Sequence, residues 1–302
     1  MRFNKLDLNL LVVLDALLTT RSVSKAAELV FLSQPAASLA LGRLRDYFDD
    51  ELLVSAGRSM VLTPVAVELA QPVREVLLQL QTLTRARPDF DPSRSTRRFT
   101  IESSDYVISV LLGDVVRRAA ELAPHMQFDV RALSPQSPEN LLNGVCEFLI
   151  APDFAGVSGH PSEDLFEDTF SCLVSKTHQA RRKGLSAQAY FQAGHVGVEW
   201  GGGRRVTFDT RMVAVSKQSR RQDVIAPNFT LVPELLMGTD RIATLPTRLA
   251  QRLARYFPVA VLPCPIAIPA FTERIHWHKY QEKDPAMVWL RRLILEVATA
   301  LR

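Results

Sequence analysis

Gln34, Ser38, Gly42 and Arg45 recur three or four positions apart, so on a helix they share one face. That face is polar and mostly short-chained. Short side chains let a helix backbone come close to a major groove, Gln can bond an adenine edge through two hydrogen bonds, and Ser can bond a base or a phosphate. Gln34 also opens the segment, and in helix-turn-helix proteins it is the N-terminal end of the second helix that meets the base edges. The competing reading of the same residues is the solvated side of an ordinary helical hairpin, and the pattern alone leaves both open. Elsewhere no GxSxG, HExxH or nucleophile–base spacing occurs, so the chain is not read as an enzyme.

Two short helices must position that face. Ser22 is a suitable N-cap for the first, with Val23, Ala26, Ala27 and Leu29 as its buried positions. Ser33 caps the second, and Pro35 falls in the first turn, where a missing N–H costs nothing. Ala37, Leu41, Leu44 and Phe48 then form one apolar stripe. Leu6 to Leu18 reads as an amphipathic helix ahead of the pair. Leu52–Val54 and Met60–Leu62 read as a two-strand wing around Ser55-Ala56-Gly57-Arg58, with Arg58 at its tip suited to a phosphate or the minor groove. Thr63-Pro64 starts a long helix whose stripe of Val73, Val76, Leu77, Leu80 and Leu83 requires a partner, and Pro72 inside it should kink the helix or free a carbonyl. Arg87 to Ser93 breaks helicity twice and reads as a hinge.

Four features of residues 6 to 64 then carry a resemblance: Leu6-Asp7-Leu8-Asn9-Leu10-Leu11, the Ala26-Ala27 pair, Ser33-Gln34-Pro35-Ala36-x-Ser38, and Leu62-Thr63-Pro64. In this order and spacing they resemble the DNA-binding domain of LysR-type bacterial transcriptional regulators. Many family members have Leu-Glu where this chain has Leu44-Arg45. The opening helix and Arg43-Leu44-Arg45-x-Tyr47-Phe48 are most similar to the subgroup of nodulation activators and salicylate- or nitroaromatic-responsive regulators. The resemblance implies a homodimer paired through the linker helix, a homotetramer on an inverted-repeat operator, a small-molecule inducer and contact with RNA polymerase. For DNA contact it implies Ser33, Gln34, Pro35, Ser38, Leu39, Gly42, Arg43, Arg45 and Arg58.

Composition sets outer bounds. At 302 residues the chain is long enough for two or three domains, and 47% apolar with 23% charged residues is the balance of a globular protein. No run of 18 apolar residues and no N-terminal export signal is seen, so a cytoplasmic location without membrane contact is expected. Cys146, Cys172 and Cys264 are odd in number and widely spaced, as befits reduced thiols, and no cofactor or metal site is expected. The net charge of +4 does not by itself point to nucleic acid. Residues 1–62 balance Arg2, Lys5, Arg21, Lys25, Arg43, Arg45 and Arg58 against Asp7, Asp15, Glu28, Asp46, Asp49, Asp50 and Glu51, a sum of zero. Phosphate contact dominates affinity for DNA, so such a module needs its charges separated in space and a second copy beside it.

From Arg98 onward strands and helices alternate. Strands are expected at Phe99–Ser103, Met126–Ala132 and Phe148–Ala151, with helices at Asp105–Leu122 and Pro138–Asn143, as a βαβαβ unit. A second set is expected at Thr169–Ser175, His195–Glu199, a helix around Val206–Val215, Val224–Ala226, Val232–Leu236 and Ile242–Leu245, then a strand at Phe271–His278 and a helix at Pro285–Leu301. Crossings near Pro152–Phe166 and Pro263–Pro269 make this an α/β, type II periplasmic-binding-protein-like clamp. The full layout is a winged helix-turn-helix over 1–62, a linker helix over 63–87, a hinge over 88–97 and an effector-binding domain over 98–302. Its first subdomain takes about 98–162 and 268–302, its second about 163–267. Ligands of such sheets lie beyond the C-terminal strand ends. That rule selects Ser103, Ser104, Asp105, Ala151, Pro152, Glu199, Trp200, Gly201, Asn228, Phe229 and Thr230, with Trp200 and Phe229 suited to an aromatic or phenolic ligand. Gly201-Gly202-Gly203-Arg204-Arg205 lacks the P-loop lysine, and His276 with His278 lacks a third metal ligand. The alternative function is a cytosolic solute-binding module whose N-terminal region is a protein-interaction hairpin.

Overall fold

A computed structural model describes residues 6–57, 59–85, 90–155, 157–200, 205–206 and 220–301. They form two compact units, divided after Ala86.

The first unit is built on three helices, α1 (Asn9–Thr20), α2 (Val23–Leu29) and α3 (Gln34–Phe48). Ser22 and Ser33 cap α2 and α3, their hydroxyls accepting from Lys25 N at 3.4 Å and Ala36 N at 3.3 Å. Leu10, Leu14 and Leu17 of α1 close on Ala26, Leu41, Leu44, Leu52 and Leu53 in one core. Leu29 departs from the expectation. It is 58% exposed because α2 turns it away from α1, and Ala26 and Ala27 alone give that helix its buried face. Strands β1 (Leu53–Ala56) and β2 (Ser59–Leu62) pair antiparallel as the wing.

The long helix α4 (Pro64–Arg85) is continuous through Pro72. Thr63 caps it, accepting from Ala66 N at 3.1 Å, and Arg74 bonds Asp15 at 3.0 Å and Thr19 at 2.8 Å on α1. Its apolar residues divide between two faces. Ala66, Val73 and Leu77 pack into the unit's own core. Val65, Pro72, Val76 and Leu83 fall on the outward side, with Leu83 72% exposed. The expected single stripe therefore mixed a core face with a free one.

The second unit holds two sheets. The first has the order β4 (Gln127–Ala132), β3 (Arg98–Ser103), β5 (Phe148–Pro152), β13 (Phe271–Trp277), β6 (Ser162–Asp168). Its β3, β4 and β5 are parallel, and β13 runs antiparallel between β5 and β6. The second has the order β10 (Arg221–Ala226), β8 (Gly194–Trp200), β11 (Ile242–Pro246), β7 (Phe170–Ser175), β12 (Val259–Pro263), with β9 (Arg205–Val206) beside β8. Val206 is thus strand where a helix was expected to begin, and the rest of that helix lies outside the described residues. The expected first crossing over Pro152–Phe166 is also displaced. Ser162–Asp168 is an edge strand of the first sheet, so the chain changes sheets at Thr169 and the boundary at residue 163 moves with it. The helix expected over Asp105–Leu122 is present as α5 (Asp105–Val107) and α6 (Gly113–Leu122), joined by a π turn over Ile108–Leu112.

The last helix described, α7 (Pro285–Thr299), is fixed to the start of the first sheet by Arg97, whose Nη1 bonds both Asp284 carboxylate oxygens at 2.7 Å. Asp284 also caps α7, accepting from Ala286 N at 2.9 Å. Asp284 is nearly fully buried, so removing the cation strands a charge in the interior. We expect Arg97→Ala to lower the stability of this unit by about 3 kcal/mol. Trp200, Trp277 and Trp289 all lie in the second unit. A urea titration followed by tryptophan fluorescence of the full chain therefore reads that unit alone.

Candidate nucleic-acid interface and effector cleft

The rotation of α3 is fixed by its buried side, where Ala37, Ala40, Leu41 and Leu44 meet the other helices. Ser33, Gln34, Pro35, Ser38, Leu39 and Arg43 are in consequence exposed and Gly42 half-exposed. A Cβ added at Gly42 meets nothing within 4 Å. Its backbone is not in the left-handed region, so neither strain nor crowding within the unit requires glycine there. Mid-helix glycine costs about 1 kcal/mol against alanine, and here it leaves a notch in the outward face.

The turn before α3 carries a second local cost. Leu32 N donates to Ala27 O at 2.9 Å and Phe31 N to Glu28 O at 3.3 Å, the pairing of a Schellman motif. Its left-handed position, at φ 56°, is occupied by Phe31 and not by glycine. The phenyl ring is 96% exposed.

The arginines divide. Arg43 is exposed and only loosely paired with Asp7, at 3.7 Å. Arg45, expected to reach phosphate, is used within the fold. Its Nε bonds Glu51 O at 2.8 Å, its Nη2 bonds Leu53 O at 2.9 Å, and Glu51 neutralises it at 3.0 Å. It has rotated off the Gln34 face to clamp the end of α3 to the wing. Asp50 does similar work, accepting from Leu52 N and from the Thr63 hydroxyl at 2.7 and 2.6 Å. Arg58 lies outside the described residues.

In the second unit, the strand ends selected by sequence come together in part. Ser104 caps α5, accepting from Val107 N at 3.2 Å, and Ser103 is buried beneath it. Asp105 faces the other sheet's loop and accepts from Thr230 N at 2.8 Å. Asn228 organises that loop through Leu231 N, at 3.2 Å, and the Thr230 hydroxyl, at 3.3 Å. Phe229 packs into the main core, Ala151 into a smaller cluster with Leu141, Cys146 and Leu149, and Pro152 is buried at the end of β5. Glu199 and Trp200 lie in β8 with side chains outside the described set, and Gly201 is outside it altogether. A separate cavity of about 740 Å³ opens at the opposite ends of the second sheet, beside Gly194, Arg221, Asp223 and Arg241, and does not coincide with the cleft.

These two units also match known families. Residues 8–67 match the bacterial regulatory helix-turn-helix proteins of the lysR family, and residues 92–299 match the LysR substrate binding domain. The chain belongs to the LysR family of transcriptional regulators. Nodulation protein D 2 of Rhizobium tropici is 42% identical over 301 residues, covering 100% of this chain and 96% of its own. Nodulation protein D of Bradyrhizobium sp. (strain ANU 289) is 40% identical over 299 residues, covering 99% of this chain and 88% of its own. A solved probable transcriptional regulator from Pseudomonas aeruginosa is 29% identical with a TM-score of 0.64, covering 96% of this chain and 98% of its own. Its full-length match is thus to another regulator of transcription. Among the described residues no helix is long and apolar enough to cross a membrane.

Sequence reading missed a buried polar group where the LysR substrate-binding domain changes sheets. Tyr106 of α5 donates to Asp168 Oδ2 at 2.6 Å, and Asp168 also accepts from Thr169 N at 2.8 Å and Arg248 N at 3.2 Å. Glu273 of β13 is only 1% exposed, and its Oε2 has no hydrogen-bond partner among the described residues. Burial, with the charges of Asp153 and Asp168 beside it, pushes its carboxyl up to about 8. The signal was legible. Glu273 sits at an inward position of a strand whose other inward residues are Phe271, Ile275 and Trp277.

Glu273 therefore stays protonated in the folded protein at neutral pH and ionises on unfolding, where a glutamate titrates near 4.5. Between those values the unfolded chain has released a proton that the folded chain still holds, so stability falls as pH rises and levels off above about 8. Glu273→Gln should match the wild type in denaturation midpoint at about pH 4 and exceed it progressively toward pH 8, a gain in stability of about a few kcal/mol at most. Parallel midpoint-against-pH curves for the two proteins would contradict this.

Proposed function

We propose that this chain regulates transcription by gripping promoter DNA with the outward face of α3 while its second unit senses a small aromatic or phenolic inducer. The observation that carries the DNA half is the exposed row of Ser33, Gln34, Pro35, Ser38, Leu39, Gly42 and Arg43 on a helix whose opposite side is locked into the core. Arg58 on the wing joins that set by sequence, while Arg45 serves the fold. The module has no excess of positive charge over residues 1–62, so tight binding calls for two copies acting together. The free seam of α4, Val65, Pro72, Val76 and Leu83, supplies the surface for pairing a second copy. Dimers then pair into a tetramer that bends the promoter and meets RNA polymerase in the cytoplasm.

The inducer reading rests on the strand-end rule and on Asp105, Asn228 and Thr230 meeting from opposite sides of the cleft. Ser103, Ser104, Ala151, Pro152 and Phe229, all buried, complete the set that the strand-end rule selects. The Asp105–Thr230 bond ties the two sheets, and a ligand seated there exchanges it for its own contacts. Induction requires that the ligand bind two shapes of the tetramer with different affinity.

A gel shift of the full-length protein on its own upstream region tests the DNA half. Wild type should give a discrete complex, Gln34→Ala should weaken it at least tenfold, and Leu83→Asp should weaken it similarly while shifting the free protein toward monomer in sedimentation. No sequence-specific complex with wild type, or an unaffected Gln34→Ala, would overturn the assignment.

A further inference from the structure

An apolar side chain stands among the residues just assigned to DNA. A helix advances about 100° per residue, which places Leu39 close to diametrically opposite the buried positions Ala37, Leu41 and Leu44. Pro35, Ser38 and Gly42 are its neighbours on that side. Leu39 is 71% exposed, and nothing in its own unit covers it. Pro35 and Ser38 beside it are short, and the notch at Gly42, one turn along, lets the backbone come close to whatever docks. Leu39 thus stands as an apolar side chain above a recessed surface, with the exposed Arg43 one turn further along.

We propose that Leu39 reads a thymine in the operator through its 5-methyl group. This rests on the DNA-binding assignment above. An isobutyl group neither donates nor accepts a hydrogen bond, and the thymine methyl is the apolar feature that base pairs present in the major groove. Polar neighbours cannot substitute for it. Gln34 suits an adenine edge and Ser38 a base or phosphate, while neither gains from a methyl. Two hydrogen-bonding readers and one apolar reader on one helix specify a half-site that holds both adenine and thymine. The chemistry also separates duplex DNA from a second protein as occupant, since only DNA makes the contact sensitive to a single methyl.

The test uses full-length protein and duplexes recovered by repeated selection from a random-sequence library. The recovered duplex is resynthesised with deoxyuridine replacing each half-site thymine in turn, which removes one methyl and leaves every hydrogen bond intact. Wild type should lose about fourfold in affinity at one thymine position per half-site and little elsewhere, as expected for one buried methyl. Leu39→Ala should bind the thymine duplex about as weakly as wild type binds the uracil one, and should not distinguish the two. Gln34→Ala should remain methyl-sensitive at that same position. If wild type binds every uracil duplex as tightly as the parent, or Leu39→Ala stays methyl-sensitive, the inference is wrong while DNA binding stands. If Leu39→Ala alters the mass of the DNA-free protein with no methyl effect anywhere, the face belongs to a protein contact and the inference is wrong. If no duplex is enriched at all, the DNA-binding assignment falls and takes this inference with it.

Discussion

The burial of one side of α3 decides what the other side can do. Ala37 and Leu44 are wholly enclosed, and close packing leaves no second way to seat them. The helix is therefore held against rotation by its core side, and against sliding by Arg45, which grips Glu51 O and Leu53 O at the wing. Through Asp50 and Thr63 the wing is tied in turn to the start of α4, and Arg74 ties α4 to α1. One continuous core thus fixes the outward face of α3 and the outward seam of α4 in a single body. Paired along α4 as proposed, two such bodies would present two reading faces at a set spacing.

On that surface the protein departs from what its own fold favours. Phe31 occupies a left-handed turn position that suits glycine, Gly42 occupies a helical position that suits alanine, and Leu39 leaves an apolar side chain in water. The first two choices each cost the free molecule on the order of 1 kcal/mol, and the third leaves the burial of an apolar side chain unused. Departures of this kind concentrate where function overrides local preference. The second unit has a comparable spot, where Glu273 and the Tyr106–Asp168 pair lie buried close to the change of sheet.

The sequence was most legible where a single physical rule acts alone. The caps Ser22 and Ser33, the stripe of α3 and the alternation of strands and helices beyond Arg98 follow from hydrogen-bond accounting and periodicity. Legibility failed where two partners compete for one pattern. In α4, a face packed on α1 and a face left free are both apolar, so Val73 and Val76 read as one stripe. Arg45 shares the helical spacing of Gln34 and Ser38, yet a long side chain can swing to Leu53 O, and spacing carries no word of that. Leu29 failed because a two-turn helix buries so narrow a strip that its apolar end residue falls outside it. Ser162–Asp168 is rich in acids because it is an edge strand, which is why it read as a connection.

Gly42 allows the competing demands of fold and DNA to be measured in one molecule. In Gly42→Ala the added methyl meets open space in the free protein, so hydrogen exchange across α3 should slow by about fivefold. On DNA the same methyl fills the notch, so affinity for a selected duplex should drop at least tenfold. Slower exchange with unchanged or tighter DNA binding would show that α3 does not present this face to the double helix.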